Sequence, residues 1–170
     1  MTITLNLGIN DIPYSGQPGS VRPVAKPKRG KANKPRKAPG SRTLPSTGDV
    51  AQILEDRYHI MEVFAESYMP HIVAAIEHSI GGAIESLAMG APATINPFGS
   101  GMGEIEEGFR YFLDSSEMET MGIPGVPTMA SVRGINHRLA HPYAKSNPPR
   151  PSFIDTGTYQ ANFRAWIETK

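Results

Sequence analysis

The triplet Asp155-Thr156-Gly157 has the residue types that carry the catalytic aspartate in aspartic proteases. In a single-domain protease of that kind, two copies of the chain each supply one such loop, and their two carboxylates share a proton. That fold also needs a flap hairpin and a second apolar-Gly segment, whereas thirteen residues follow Gly157. We therefore expect a structural joint and no catalytic residue. Asp155 or Thr156 is expected to cap a helix over residues 158–167, and Gly157 to supply backbone freedom at a strand-to-helix turn.

Two other patterns have spacings known from ligand sites. His137 and His141 are four residues apart, which on a helix can place two metal ligands on one face. No glutamate lies between them and Pro142 follows directly, so a surface pair is favoured. Residues 99–103 read G-x-G-x-G but follow a predicted helix and contain no lysine, which favours a flexible connection over a phosphate loop. The chain also has no cysteine. We expect no metal site, cofactor or enzymatic activity.

The run KPKRGKANKPRK, residues 26–37, concentrates positive charge without an aromatic residue. Without stacking groups, such a run can bind phosphates only by charge and therefore without sequence preference. It can also dock on an acidic protein surface, such as that of an adjacent copy, or remain a solvated tail. The candidate interaction residues are Lys26, Lys28, Arg29, Lys31, Lys34, Arg36 and Lys37.

Charge is distributed unevenly along the 170 residues, although the net charge is only +1. Residues 1–46 contain nine basic residues and one acid, a balance of +8. Residues 47–121 contain two basic residues and thirteen acids, a balance of −11, and residues 122–170 contain six and two, a balance of +4. A basic arm beside an acidic middle indicates contact with nucleic acid or docking of the arm on a neighbour.

Periodicity predicts a mainly helical body. Apolar residues recur at three- and four-residue steps over residues 47–69 and again over 71–89, which predicts two long helices. A shorter helix is predicted over 104–113. Residues 81 and 82 are both glycine, which inside the second helix would permit close approach of a neighbouring element within the chain or across a subunit contact.

Strands are expected to be few and short. Alternation of Ile3, Leu5 and Leu7 predicts a strand that must add to a sheet elsewhere, and a second strand is possible over residues 130–137. Tyr159, Phe163 and Trp166 step by four and three, which predicts a final helix. The expected fold is α+β: a mainly helical body of two long helices with a few short strands. Residues 1–46 form an extended basic Pro/Lys-rich arm and residues 47–170 the globular domain.

The N-terminal sequence lacks the pattern of a signal peptide, and no apolar stretch reaches the ~18 residues of a membrane span. We expect a soluble protein made in a cytoplasm, with no membrane contact.

The second half of the chain resembles a known family. The segments are the helix beginning ILEDRYHIMEVFAESY, the link GIPGVPT, then GINHRLAHPYAK and PPRPSFIDTGTYQANFRAW. They resemble the neck or tail-completion (head–tail joining) proteins of tailed bacteriophages, which carry a P-x-x-x-D-T-G-x-L-x-x-S type segment. Matching residues are Pro151, Asp155, Thr156 and Gly157, while Tyr159 stands in place of Leu and Asn162 in place of Ser.

This resemblance covers roughly residues 50–168 and implies a structural virion protein without chemistry. Proteins of the family form rings between the portal and the tail tube or at the tube end. The implied partners are other copies of the chain and portal, adaptor or tail-tube proteins, and the implied location is the virion, after synthesis in the host cytoplasm. The alternative from the residues alone is a nucleic-acid-binding accessory protein that uses the basic arm.

Overall fold

The computed structural model describes residues 2–12 and 46–169, and this part of the chain contains two strands and seven helices joined by turns and loops. In chain order they are β1 (Ile3–Ile9), α1 (Thr47–Tyr58), α2 (Ile60–Ser67), α3 (Met69–Ala88), α4 (Gly99–Asp114), α5 (Glu117–Thr120), α6 (Met129–Val132), α7 (Thr158–Ala161) and β2 (Phe163–Thr169). The expected class, a mainly helical α+β fold, is confirmed. The candidate basic residues at 26–37 lie outside the described residues.

The helix expected over residues 47–69 is two helices. His59 adopts a left-handed backbone conformation, with φ 50° and ψ 44°, and this ends α1. The Glu55 carboxylate then accepts hydrogen bonds from the amides of Met61 at 2.8 Å and Glu62 at 3.2 Å. Those amides belong to the first turn of α2 and would otherwise lack partners. A side chain of the first helix thus stabilises the start of the second.

Helix α1 begins with a capping box. The Ser46 hydroxyl accepts a hydrogen bond from the Asp49 amide, and the Asp49 carboxylate accepts one from the Ser46 amide. This reciprocal arrangement satisfies two donors at the helix N-terminus. It fixes the helix start immediately after the undescribed segment.

The core is an aromatic cluster where α2, α4 and β2 meet. Phe64, Phe109, Phe112 and Phe163 are fully buried. The rings of Phe109 and Phe163 stack at 3.8 Å between centroids, and Phe64 meets Phe109 edge-on at 5.2 Å. Such contacts add stabilisation beyond the burial of apolar area. The cluster joins the helical body to the sheet.

Helices α3 and α4 pack closely because of a glycine that the sequence suggested was in a loop. Residues 99–103 form the first turns of α4 instead of a flexible connection. A Cβ atom on Gly101 would lie 2.7 Å from the Ala75 carbonyl oxygen on α3. Gly81 and Gly82, where close approach was expected, have no atom of the described chain within 4 Å of a Cβ position.

The last element is a strand, so the helix expected over residues 158–167 is wrong beyond Ala161. β2 pairs with β1 in an antiparallel sheet, in a register that runs from Ile3 opposite Thr169 to Ile9 opposite Phe163. Phe163 and Ala165 are buried on the core side, whereas Trp166 lies on the other face and covers Gly8. The spacing of the aromatic residues is also compatible with a helix. In the strand, however, pairing with β1 satisfies the backbone hydrogen bonds, and successive side chains point to opposite faces of the sheet.

The strand considered over residues 130–137 is also absent from the described structure. Residues Met129–Val132 form the short helix α6, whose N-cap Thr128 accepts a hydrogen bond from the Ser131 amide at 3.2 Å. Gly134 follows with φ +64°, a left-handed conformation that interrupts any extended run.

Candidate interaction surfaces

The two ends of the basic segment are fastened together on the body. Thr47, which is 1% exposed, accepts a hydrogen bond from the Ile12 amide at 2.8 Å and donates one to the Asn10 carbonyl at 2.6 Å. The Thr47 amide donates to the Ile12 carbonyl at 2.9 Å. We call these contacts the Thr47 clamp. They place residue 12 beside residue 47.

An acidic side chain adds a further contact beside the Thr47 clamp. The Asp11 carboxylate accepts a hydrogen bond from the Gly48 amide at 3.0 Å. Hydrogen bonds from the Ser46 side chain and the Gly48 backbone lower the pKa of Asp11, because they favour its charged form. The contact between the Asp11 carboxylate and the Gly48 amide thus adds to the fastening.

Because of the Thr47 clamp, the arm expected over residues 1–46 is attached to the body at both its start and its end. Residues 3–9 are a strand of the body, and Ile12 and Thr47, which flank the segment 13–45, are hydrogen-bonded to each other. These 33 residues contain all nine Lys and Arg of the region and no acid. With both ends fixed, a chain of this length can reach at most ~55 Å from the clamp, at ~3.4 Å for each residue out and back. It is an internal basic segment, and we use that name below.

Asp155 holds a neighbouring loop and does not cap a helix. One carboxylate oxygen accepts the His137 backbone amide at 2.8 Å, and the other meets the His137 Nδ1 at 2.5 Å. The Arg150 guanidinium lies 3.8 Å away. The cap expected from Asp155 is wrong, since its carboxylate contacts His137 and Arg150 and no amide of α7, a one-turn helix whose N-cap residue is Gly157. Because β2 begins at Phe163, the helix that Asp155 was expected to cap ends at Ala161.

The other two residues of the triplet form the turn itself. Gly157 has φ +79°, a conformation that favours glycine. The Thr156 hydroxyl accepts a hydrogen bond from the amide of Thr158, the first residue of α7, at 3.4 Å, and contacts the Thr158 hydroxyl at 2.8 Å. The backbone freedom expected of Gly157 is thus used where α7 begins.

Of the two histidines spaced four apart, only His137 contacts the triplet. Its Nε2 lies 2.9 Å from the Tyr143 hydroxyl, while His141 is exposed. Within residues 2–12 and 46–169, no three His, Asp or Glu side chains are grouped as metal ligands. The Asp155, His137 and Tyr143 side chains form an exposed chain of hydrogen bonds that ties residues 137–143 to the turn.

Helix α3 leaves an apolar face uncovered. Its inner side, with Ile72, Ala75 and Ser79, is buried against α4. We call a second, adjacent stripe the α3 outer face: Met69, Val73, Ile76, Ile80, Ile84 and Leu87, spaced by three and four residues. Ile76 and Ile80 are half-buried, Ile76 against the core, and the other four are exposed. Ile84 is 63% exposed and Leu87 56%. Beside its C-terminal end lies an apolar groove of about 310 Å³, whose far wall includes Phe98.

The outer edge of β2 is tied to α4 by one glutamate. Glu106 accepts hydrogen bonds from the Ala165 amide at 3.4 Å and the Arg164 guanidinium at 3.1 Å. It also pairs with Arg110 at 3.3 Å. Since Ala165 points its amide away from β1, Ile167 and Thr169 do so as well. In the described chain no third strand covers that edge.

Sequence reasoning found the basic run and the triplet but missed the Thr47 clamp and the α3 outer face. Ser46 and Asp49, three residues apart, are a capping-box signature that could have located the start of α1. No local signal joins residue 12 to residue 47. The stripe on α3 was visible as periodicity, but periodicity does not distinguish a buried face from an exposed one.

Comparison with known proteins gives no relative: no family model matches the chain, and neither curated proteins nor solved structures match it. Among the described helices, none combines the length and apolar character required to span a bilayer.

Proposed function

We propose that this chain is a structural virion protein of a tailed phage, which forms a ring in the neck or at the tail end by protein–protein docking. The exposed α3 outer face is the observation that carries the proposal. A contiguous apolar stripe on a solvent-facing helix is typical of a surface that a partner buries. The resemblance of the segment from Pro151 to Gly157 to head–tail joining proteins suggests which kind of assembly this is.

Ring closure needs two different surfaces on each subunit, because a head-to-tail contact joins unlike patches. The α3 outer face supplies an apolar patch. The internal basic segment supplies a cationic one, and the body of residues 47–121 has a balance of −11. A subunit with these complementary surfaces is suited to contact one neighbour on each side. Portal, adaptor or tail-tube proteins would contact the completed ring.

Native mass spectrometry of the full-length protein, with and without short duplex DNA, tests this function. We expect a closed oligomer of one defined order that is indifferent to DNA. The double variant Ile84→Lys, Leu87→Lys should shift the population to smaller species, because it places charge in the apolar contact. Glu85→Lys, in the same turn but outside the stripe, is the matched control and should assemble normally. A wild-type monomer at tens of micromolar, unaffected by these changes, contradicts the proposed ring.

Removal of residues 1–46 would be a poor version of this test. The deletion also removes β1, which pairs with β2 along seven residues. Loss of assembly would then follow from loss of fold. Substitution of the basic side chains alone leaves β1 and the Thr47 clamp in place.

The nine basic residues without an acid in the internal basic segment favour one alternative, a nucleic-acid-binding accessory protein. Binding by charge alone weakens steeply with salt, because each neutralised phosphate releases a counterion. Replacement of the seven Lys and Arg at 26–37 by Gln should then abolish binding to duplex DNA. Binding that persists in that variant rules out this alternative.

A further inference from the structure

A cleft between α3 and α4 has no role in the fold described above. It is an open surface cleft of about 450 Å³, lined by Tyr68, His71, Glu104, Glu107, Gly108 and Tyr111. We call it the α3–α4 cleft. On α3 it lies roughly opposite the α3 outer face, since His71 is two residues from Val73, or about 200° around the helix.

The walls of the cleft are aromatic and held in position. The Tyr68 hydroxyl donates a hydrogen bond to Glu117 at 2.7 Å, and its ring meets His71 edge-on at 6.0 Å. Gly108 allows this packing, because a Cβ atom there would lie 3.2 Å from the His71 ring. Tyr111 is 63% exposed and leaves one wall open to a ligand.

Two carboxylates complete the cleft. Glu104 and Glu107 are three residues apart on α4 and therefore lie on the same side of that helix. The Glu104 Oε1 lies 3.7 Å from the His78 Nδ1, and both side chains are exposed. No Lys or Arg of the described residues lines the cleft. The two negative charges are thus left for an external cation.

Aromatic walls together with carboxylates select a particular ligand chemistry. A guanidinium stacks on a tyrosine ring and forms paired hydrogen bonds with a carboxylate, and an ammonium uses the same groups as a point charge. An anion would be repelled by both glutamates. The cleft therefore fits an arginine or lysine side chain of a basic peptide.

The chain itself contains such a peptide. The internal basic segment has nine Lys and Arg, and residues 26–37 lie midway between the clamped ends, where the chain can extend furthest. A reach of up to ~55 Å exceeds the size of a small domain, so a neighbouring copy is accessible. Charge complementarity then favours this segment as the occupant.

We propose that the α3–α4 cleft binds a Lys or Arg side chain from residues 26–37 of a neighbouring copy. This inference rests on the proposed function, for which it names the surface that receives the basic segment.

Zero-length carbodiimide cross-linking joins lysine amines to carboxylates in direct contact and tests the contact on the full-length protein. An equal mixture of ¹⁴N- and ¹⁵N-labelled protein separates links between copies from links within one. We expect mixed-isotope links from lysines at 26–37 to Glu104 or Glu107. Links spread evenly over other exposed acids such as Glu62 and Glu85, or links only within one copy, overturn the inference.

A second experiment measures how strongly the copies bind each other. Tyr111→Ala and the pair Glu104→Gln, Glu107→Gln should each raise the concentration at which the oligomer dissociates in sedimentation velocity, by roughly tenfold. Glu62→Gln with Glu66→Gln, on α2 outside the cleft, is the matched control and should leave it unchanged. Equal dissociation of all these variants overturns the inference.

Native mass spectra of the same samples keep the two proposals apart. A ring whose cross-links fall elsewhere would retain the proposed function and remove the cleft from it. A protein that stays monomeric would contradict the ring, and the absence of links between copies would then overturn the cleft proposal as well.

Discussion

At the scale of single residues, Asp155 is the clearest case of a side chain whose role depends on a distant partner. The triplet it begins is found in proteases, yet here its carboxylate contacts the backbone and ring of His137, eighteen residues earlier in the chain. The contact fixes the loop that leads through Tyr143 back to the turn at Gly157. Its role is positional, as expected of a joint, although the partner is a loop and not a helix end.

Asp155→Asn should lower the free energy of unfolding by about 1 kcal/mol, since it weakens a charge-assisted hydrogen bond at a half-exposed site. Urea denaturation monitored by circular dichroism measures this change. Glu85→Gln, an exposed acid on α3, serves as the control. A loss no larger than that of the control would show that the His137 contact does not stabilise the fold.

At the scale of elements, the contact between α3 and α4 depends on which glycines face the neighbouring helix. Gly101 is buried and lies against the Ala75 carbonyl, whereas Gly103 is exposed, with nothing within 4 Å of a Cβ position. Both lie in α4, two residues apart. Alanine substitution at these two glycines therefore distinguishes the effect of packing against α3 from the effect of helix propensity.

Gly101→Ala should destabilise the protein by about 1–3 kcal/mol, because the added methyl group would force the helices apart. Gly103→Ala should instead stabilise it by about 0.5–1 kcal/mol, the usual gain of alanine over glycine inside a helix. Urea midpoints of the two variants, compared with the wild type, provide the measurement. Shifts of the same sign would contradict the α3–α4 packing described here.

The sheet illustrates what tertiary pairing adds to an element. Alternation in residues 3–7 predicted β1 and the need for a partner strand, and both are confirmed. The partner could not be predicted, because Phe163 and Trp166 fit a helical spacing equally well. Once β1 is adjacent, the alternating pattern of Phe163 and Ala165 buries one face of β2 and exposes the other.

At the scale of the whole molecule, the two ends of the chain are joined. β1 and β2 pair from end to end, and the Thr47 clamp closes the internal basic segment on the body. A cut within that segment would therefore leave β1 attached by non-covalent contacts.

Limited trypsin digestion tests this arrangement, because the segment from 28 to 42 offers six Lys or Arg residues that are not followed by proline. We expect the N-terminal peptide that contains β1 to co-elute with the body in size-exclusion chromatography after cleavage, and to separate only in denaturant. The uncut protein run in parallel gives the reference volume. A peptide that elutes alone in native buffer would contradict the pairing of β1 with β2.

The sequence by itself determined the α+β class, most of the helical positions, the apolar stripes and the uneven distribution of charge. These properties follow from local periodicity and composition, which any window of the chain reveals. Tertiary structure decided that α1 and α2 are separate, that Gly101 and not Gly81 is the packing glycine, and that β2 is a strand. It also decided that Asp155 contacts His137 and that residue 12 lies beside Thr47. The break between α1 and α2 is local, since Glu55 bonds amides six and seven residues further on. Each of the others depends on a partner far away in the chain, which no short window of sequence contains.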